Sequence, residues 1–251
     1  MTRAVILAAG RGSRMGHLSE DRPKCLFELE GKPLLERQIA ALRRGGIEQI
    51  GIVRGYRAEM IAVPGVDYFA NERWAETSII VSLMAASDWL RAGSVVVSYS
   101  DIFYRSEAVR DLTGSRGDLV ITYDRDWRRL WTRRFSDPLS DAETFRVDAV
   151  GHLVEIGGKT SRIEDIGGQY IGLWKITPRA WRVIETLLNT LDATVRDRLD
   201  GTGLLRRLIA ENAFAIDTFA IDGEWGEIDN PEDVALYRDM VERGELVLDE
   251  R

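Results

Sequence analysis

Short, unbroken apolar runs alternate along this chain with stretches in which apolar residues recur at helical spacing. Residues 4–9 are apolar at every position and stop at Gly10, the pattern of a strand buried on both faces. Pro33 opens a helix with Leu35, Ile39 and Leu42 on one face, and Gly45 and Gly46 end it before a strand over residues 49–53. A strand over 66–69 leads to a helix in which Ile79, Leu83, Ala86 and Leu90 share a face. The valines within residues 94–98 predict a central strand ending at Tyr99, Ser100 and Asp101.

Further strands are predicted over 119–123 and 169–177, with a hairpin over 145–156 that turns at Gly151 and His152. Pro178 starts a helix through Trp181, Ile184 and Leu188, a second helix covers 204–212, and 214–221 returns to strand. The last helix carries its own start signal: Asn230 caps it, Pro231 fits its first turn, and Glu232 and Asp233 favour its positive end. Strands and helices alternating without repeats or linkers predict an α/β fold. It is a single three-layer, doubly wound domain over residues 1–251, with a mostly parallel central sheet and a small β-insertion at 124–168.

The length of 251 residues allows one sizeable core. Apolar residues make up 45% and charged residues 30%, the balance of a folded chain and not of a disordered one. A net charge of -7 without any Lys/Arg block disfavours nucleic acid as a partner. Any anionic substrate must then be held locally. Cys25 is the only cysteine; it excludes an internal disulfide, and its setting between Lys24 and Leu26 reads as packing before nucleophile. The N-terminal apolar run is far short of a signal-peptide core or a membrane span, so a cytoplasmic location without a membrane partner is expected. Oligomeric state is left open.

The segment Leu7, Ala8, Ala9, Gly10, Arg11, Gly12, Ser13, Arg14 puts small residues at a strand end, where backbone N–H groups can approach a phosphate without interference from Cβ atoms. Arg14 offers a fork of donors and Lys24 a point charge. No Gly-Lys-Ser/Thr follows at Walker A spacing, and the Gly-x-Gly-x-x-Gly dinucleotide spacing is missing.

Together with Pro23-Lys24 and Gly31-Lys32-Pro33-Leu34, this segment closely resembles the nucleotidyltransferase superfamily that activates sugar phosphates and phosphocholine. The resemblance implies a Rossmann-like nucleotidyltransferase fold, a loop that wraps a nucleoside triphosphate, and phosphate contacts from Arg14 and Lys24 as catalytic groups. It also implies that Asp101, beyond the valine-rich strand, and Asp229, in Glu227-Ile228-Asp229-Asn230-Pro231, bind Mg²⁺. The bland readings are a turn aspartate at Asp101 and helix capping near Asp229. An acidic protein that handles a triphosphate needs such a cation to bridge carboxylates and phosphates.

Asn71, Thr77, Ser78 and Ser82 stand in a segment similar to the base- and ribose-side element of phosphocholine cytidylyltransferase-like members, which favours CTP over UTP; those relatives often carry Asn at the place of Ser78. Capping of a helix by Thr77 or Ser78 is the structural alternative. On the acceptor side, a choline would want an aromatic and acidic cage. Arg128, Arg129, Arg133 and Arg134, with Lys159 after Gly157-Gly158, instead suit an acceptor with extra negative charge. A solvated helix face over packed tryptophans explains the same arginines.

The expected partners are therefore CTP and a small phosphonate or phosphomonoester acceptor, with Glu227 also on the acceptor side and Lys159 at the acceptor's phosphorus group. A phosphonate is favoured, as in phosphonate cytidylyltransferases of natural-product pathways. Phosphocholine cytidylyltransferase, sugar-1-phosphate nucleotidyltransferase using UTP or CTP, and a non-catalytic nucleotide-sensing or assembly module are the competing readings. A glycosyltransferase with a related fold would need an Asp-x-Asp metal motif at the end of the valine-rich strand, and Ser100-Asp101 followed by Ile102-Phe103 does not supply one.

Overall fold

The computed structural model describes residues 1–12, 15, 20–221 and 223–248. In chain order its elements are β1 (Arg3–Ala8), the small pair β2 (Glu28–Leu29) and β3 (Lys32–Pro33), α1 (Leu34–Arg44), β4 (Ile50–Arg54) and β5 (Asp67–Ala70). Then come α2 (Ile79–Met84), α3 (Ser87–Ala92), β6 (Val95–Tyr99), β7 (Ile102–Tyr104), α4 (Ser106–Gly114), β8 (Leu119–Asp124) and α5 (Trp127–Arg134). The chain continues through β9 (Phe145–Val147), β10 (Leu153–Ile156), β11 (Gln169–Ile176), α6 (Pro178–Thr190), α7 (Ala193–Asp197) and α8 (Gly201–Ala210). It closes with β12 (Asp217–Ile221), β13 (Trp225–Glu227) and α9 (Pro231–Glu242).

Seven strands form the central sheet in the order β12-β8-β11-β6-β1-β4-β5. Only β11 runs against its neighbours, β6 and β8; the other pairings are parallel. The unalternating apolar run of β1 follows from its central place. Ala4, Ile6 and Ala8 point into one core, while Val5, Leu7 and Ala9 point into the other. Helices α1, α4, α5 and α9 contribute to the first core, and α2, α3, α6 and α8 to the second. This is the three-layer α/β arrangement expected from the alternation of elements.

Two departures from the predicted elements have local causes. The helix expected through Ile79 to Leu90 is broken into α2 and α3, where the Ser87 hydroxyl donates to the Met84 carbonyl and competes with the backbone ladder. Strands β7 and β13 are only three residues each, too short for a periodic signal, yet they place the site. Their antiparallel pairing sets Ile102 opposite Glu227, and Ile228 N–H donates to the Asp101 carbonyl at 2.9 Å. Gly226 is required there, because a Cβ would lie 2.4 Å from the Phe103 ring.

Candidate active site

The carboxyl ends of β1 and β6 lie side by side, with Leu7 opposite Tyr99. Because β1 is flanked by β4 and β6, the chain changes winding direction here, and a crevice opens beyond the strand ends. The loop after β1 and the turn after β6 form its two sides. A cavity of about 540 Å³ occupies it, lined among others by Leu7, Ala9, Gly10, Gly12, Lys24 and Asp101.

Asp101, Glu227 and Asp229 converge at its floor, each presenting a carboxylate oxygen within 4.8 Å of the others. Lys24, in the short 3₁₀ turn after Pro23, points into this cluster. Its Nζ donates to Asp101 Oδ2 at 2.9 Å and also to Asp229 Oδ1. Gly12 makes room for it: φ is +72°, and a Cβ would sit 2.8 Å from the Lys24 Cβ. Burial alone would lower the lysine's pKa, but the charges of Asp101, Asp229 and Glu227 outweigh it and hold the ammonium well above its ordinary value. Glu227 moves the other way. Burial and the neighbouring Asp229 and Asp101 push it up to about 7, against the opposing pull of Arg134 and Lys24.

One oxygen of Asp101, Oδ1, is buried without a hydrogen-bond partner. An orphaned carboxylate oxygen beside two further carboxylates is a hard, all-oxygen donor set, and it fits Mg²⁺.

The far wall of the cavity is made by Trp74, Thr77, Ser78, Ile79 and Ser82. Asn71 is buried behind that wall and does not line it. Its amide donates to Thr77 Oγ1 and Ser82 Oγ, both at 3.0 Å, and so fixes the hydroxyls that do. Ala8 is likewise buried within β1, and Arg11 is exposed, its guanidinium 5.8 Å from the Tyr56 ring centre. Ser13 and Arg14 lie outside the described residues.

A second cavity of about 230 Å³ adjoins the first and shares Tyr99, Glu227 and Asp229 with it. Trp131, Trp225, Phe145 and Tyr170 supply aromatic walls, and Asp141 and Glu143 acidic ones. None of the described side chains lining it is a lysine or arginine. Burial raises the Glu143 pKa, aided by Asp200 and Asp141 and opposed by Lys159 and Arg206.

The expected arginine wall is not what the structure holds. Arg128, Arg129 and Arg133 are on the exposed face of α5, and the last two pair with Asp126 and Glu245. An arginine at those positions in the helical repeat turns away from the packed tryptophans. Lys159 is exposed at the rim, its Nζ donating to the Asp141 carbonyl at 3.2 Å.

The sequence profile of the MobA-like NTP transferase domain matches residues 4–207. The chain belongs to this family. A CTP:phosphoglutamine cytidylyltransferase of Campylobacter jejuni is 32% identical over 251 aligned residues, covering 93% of this chain and 98% of the relative. A 2-aminoethylphosphonate cytidylyltransferase of Lancefieldella rimae is 29% identical, covering 84% of this chain and 81% of its own. In fold, the inositol-1-phosphate CTP transferase of T. maritima superposes with a TM-score of 0.74 at 16% identity, over 97% of this chain and 96% of that one.

In this nucleotidyltransferase, then, Lys24, Asp101 and Asp229 of the predicted set come together, and Glu227 joins them as a third carboxylate as well as bordering the second cavity. Trp74, Tyr99, Trp131, Asp141, Glu143, Tyr170 and Trp225 also line the two cavities and are not among the individual site residues expected from the sequence. Among the described residues, no helix is long and apolar enough to cross a membrane.

Proposed function

We propose that this protein transfers CMP from CTP to a small phosphonate or phosphomonoester acceptor that also carries a cationic nitrogen, with release of pyrophosphate. The observation that carries this reading is the meeting of two cavities at one set of groups: Tyr99, Glu227 and Asp229 border both. A nucleotide in the larger cavity and an acceptor in the smaller one would face each other across the carboxylate cluster and Lys24.

Trp74 offers a face for the base, and the hydroxyls of Thr77, Ser78 and Ser82 offer polar contacts for base and ribose. The backbone at Gly10 and Gly12, with Lys24 and Arg14, holds the phosphates. The acceptor's phosphoryl or phosphonyl oxygen attacks the α-phosphorus in line, the bond to pyrophosphate breaks, and no covalent enzyme intermediate forms. Lys24 stabilises the charge that develops on the phosphate oxygens. Mg²⁺, held by Asp101 and Asp229 beside Glu227, would neutralise phosphate charge at the same place.

The acceptor cavity supports a cationic end group, because aromatic faces and carboxylates together favour an ammonium over an anion. An aminoalkylphosphonate meets both demands. A second reading, a phosphorylated amino acid, draws on Lys159 and Arg206 beside Glu143, a mixed-charge rim suited to an ammonium and a carboxylate together. It also draws on the phosphoglutamine-using relative, which aligns over nearly all of both chains. A cytoplasmic setting is proposed with the use of CTP.

The test is pyrophosphate release from CTP or UTP with aminoethylphosphonate, phosphoglutamine, phosphocholine, hydroxyethylphosphonate and glucose 1-phosphate, each with Mg²⁺ and with chelator. Turnover confined to CTP, Mg²⁺ and the nitrogen-bearing acceptors is expected. Turnover only with glucose 1-phosphate or hydroxyethylphosphonate would sink the acceptor assignment.

A further inference from the structure

Arg134 stands at the end of α5 with its side chain only 1% exposed. Its Nε and Nη2 donate to the two carboxylate oxygens of Asp233 at 2.9 and 3.1 Å, and its Nη1 donates to Glu227 Oε2 at 3.1 Å. The guanidinium lies 5.4 Å from the Trp131 ring centre and 5.2 Å from that of Phe135. Asp233 in turn accepts from the backbone N–H of Asp229 at 2.8 Å and of Asn230 at 3.2 Å. One buried cation therefore holds the Glu227 side chain directly and, through Asp233, the backbone that carries Asp229.

The same helix also builds the acceptor side. Trp131, one turn before Arg134, lines the smaller cavity and donates its indole N–H to Asp141 at 3.1 Å. We propose that Arg134 is a positioning residue for nucleotidyl transfer: it fixes Glu227 and the Asp229 backbone in the carboxylate cluster and ties their placement to the wall of the acceptor cavity. This rests on the reading of the cluster as a cation-binding centre.

The geometry calls for a guanidinium. A planar fork engages both Asp233 oxygens and still has a third donor for Glu227, whereas the ammonium of lysine is a single point charge that cannot span the two carboxylates in the same way. A clamp that merely joined α5 to α9 would change melting temperature and leave the cluster's properties alone.

Arg134→Lys keeps the charge and loses the fork. Mn²⁺ affinity of the full chain with CTP present, read by electron paramagnetic resonance, is compared with kcat and with KM for CTP and for aminoethylphosphonate. Partners that orient ligating groups typically contribute about 10- to 100-fold to metal affinity or activity. The expected result is a loss of that size in both Mn²⁺ affinity and kcat, with KM for CTP within about threefold of wild type. Asp233→Asn, which keeps the Arg134–Glu227 contact but weakens the hold on Asp229, should move the same quantities in the same direction and decides the matter if Arg134→Lys does not fold. A folded variant with wild-type Mn²⁺ affinity and kcat, whatever its melting temperature, overturns the proposal. Wild-type protein that neither binds Mn²⁺ nor releases pyrophosphate with any acceptor overturns the underlying reading of the site instead.

Discussion

Replacing Lys24 by methionine separates two things that the lysine does in this structure. On the proposed reading it stabilises charge on the nucleotide phosphates, and in the structure it is the counter-charge of the acidic cluster, bonded to Asp101 at 2.9 Å and to Asp229. Methionine keeps most of the buried chain length and removes the charge. Each charge-assisted hydrogen bond of such an ammonium is worth about 1.5–3 kcal/mol. The ammonium must give up at least one of them before Asp101 and Asp229 can take a divalent cation, which corresponds to roughly 10- to 150-fold in a dissociation constant.

Lys24→Met should therefore bind Mn²⁺ more tightly than wild type by that factor when no nucleotide is present. Its kcat should nonetheless fall by on the order of 100- to 1,000-fold, the scale for loss of one preorganised charge-stabilising group. The assay is a titration of free Mn²⁺ by electron paramagnetic resonance at pH 8, with Lys24→Arg as the variant that keeps a cation and should show no gain. An unchanged or weaker Mn²⁺ affinity in Lys24→Met refutes the counter-charge argument, and near-normal turnover removes Lys24 from catalysis.

Three further outcomes follow from the same geometry. Glu227, raised from an ordinary 4.5 to about 7 by burial and its acidic neighbours, keeps its proton in the folded state where the unfolded chain has lost it. Its contribution to stability is thus fully present below pH 4.5 and is lost as pH rises through about 7. Glu227→Gln should melt several degrees above wild type at pH 8 and level with it near pH 5 by calorimetry; equal melting at both values counts against the buried-carboxylate account. Glu143→Gln removes a carboxylate from the acceptor cavity, and KM for a nitrogen-bearing acceptor should rise by about 10-fold or more while KM for CTP stays put; a shift in the CTP value instead would place Glu143 on the wrong side of the site. Gly12→Ala puts a methyl group 2.8 Å from the Lys24 Cβ at a backbone φ of +72°, so isothermal titration should show CTP binding weakened by at least about 10-fold. Wild-type affinity in that variant would mean the loop is free to move away from Lys24.

Much of the fold and part of the site could be read from the chain because the relevant signals are local. The apolar run of β1 stops at Gly10, the valine-rich strand stops beside Asp101, and Asn230 caps α9 as predicted, with Asp233 completing the box in return. The smaller cavity has no such signature. Its walls come from α5, from the segment around Asp141 to Phe145, from the reversed strand β11 and from β13. What brings them together is the pairing of β13 with β7 and the antiparallel insertion of β11 between β6 and β8, neither of which leaves a periodic pattern at short range.

The arginines of α5 are different, because there the pattern was present and composition concealed it. Trp127, Leu130 and Trp131 are the buried residues of that helix, and their spacing continues to Arg134 at the next turn on the same face. Arg128, Arg129 and Arg133 fall between those positions and turn outward. Four arginines counted together point to an anionic acceptor. Sorted by helical phase, three become a solvated face and the fourth becomes a buried cation, which a protein interior accepts only when carboxylates surround it. The neighbours of Arg134 are Glu227 and Asp233, so the phase of a single helix accounts both for a smaller cavity without a lysine or arginine among its described lining residues and for the group that holds the carboxylate cluster in place.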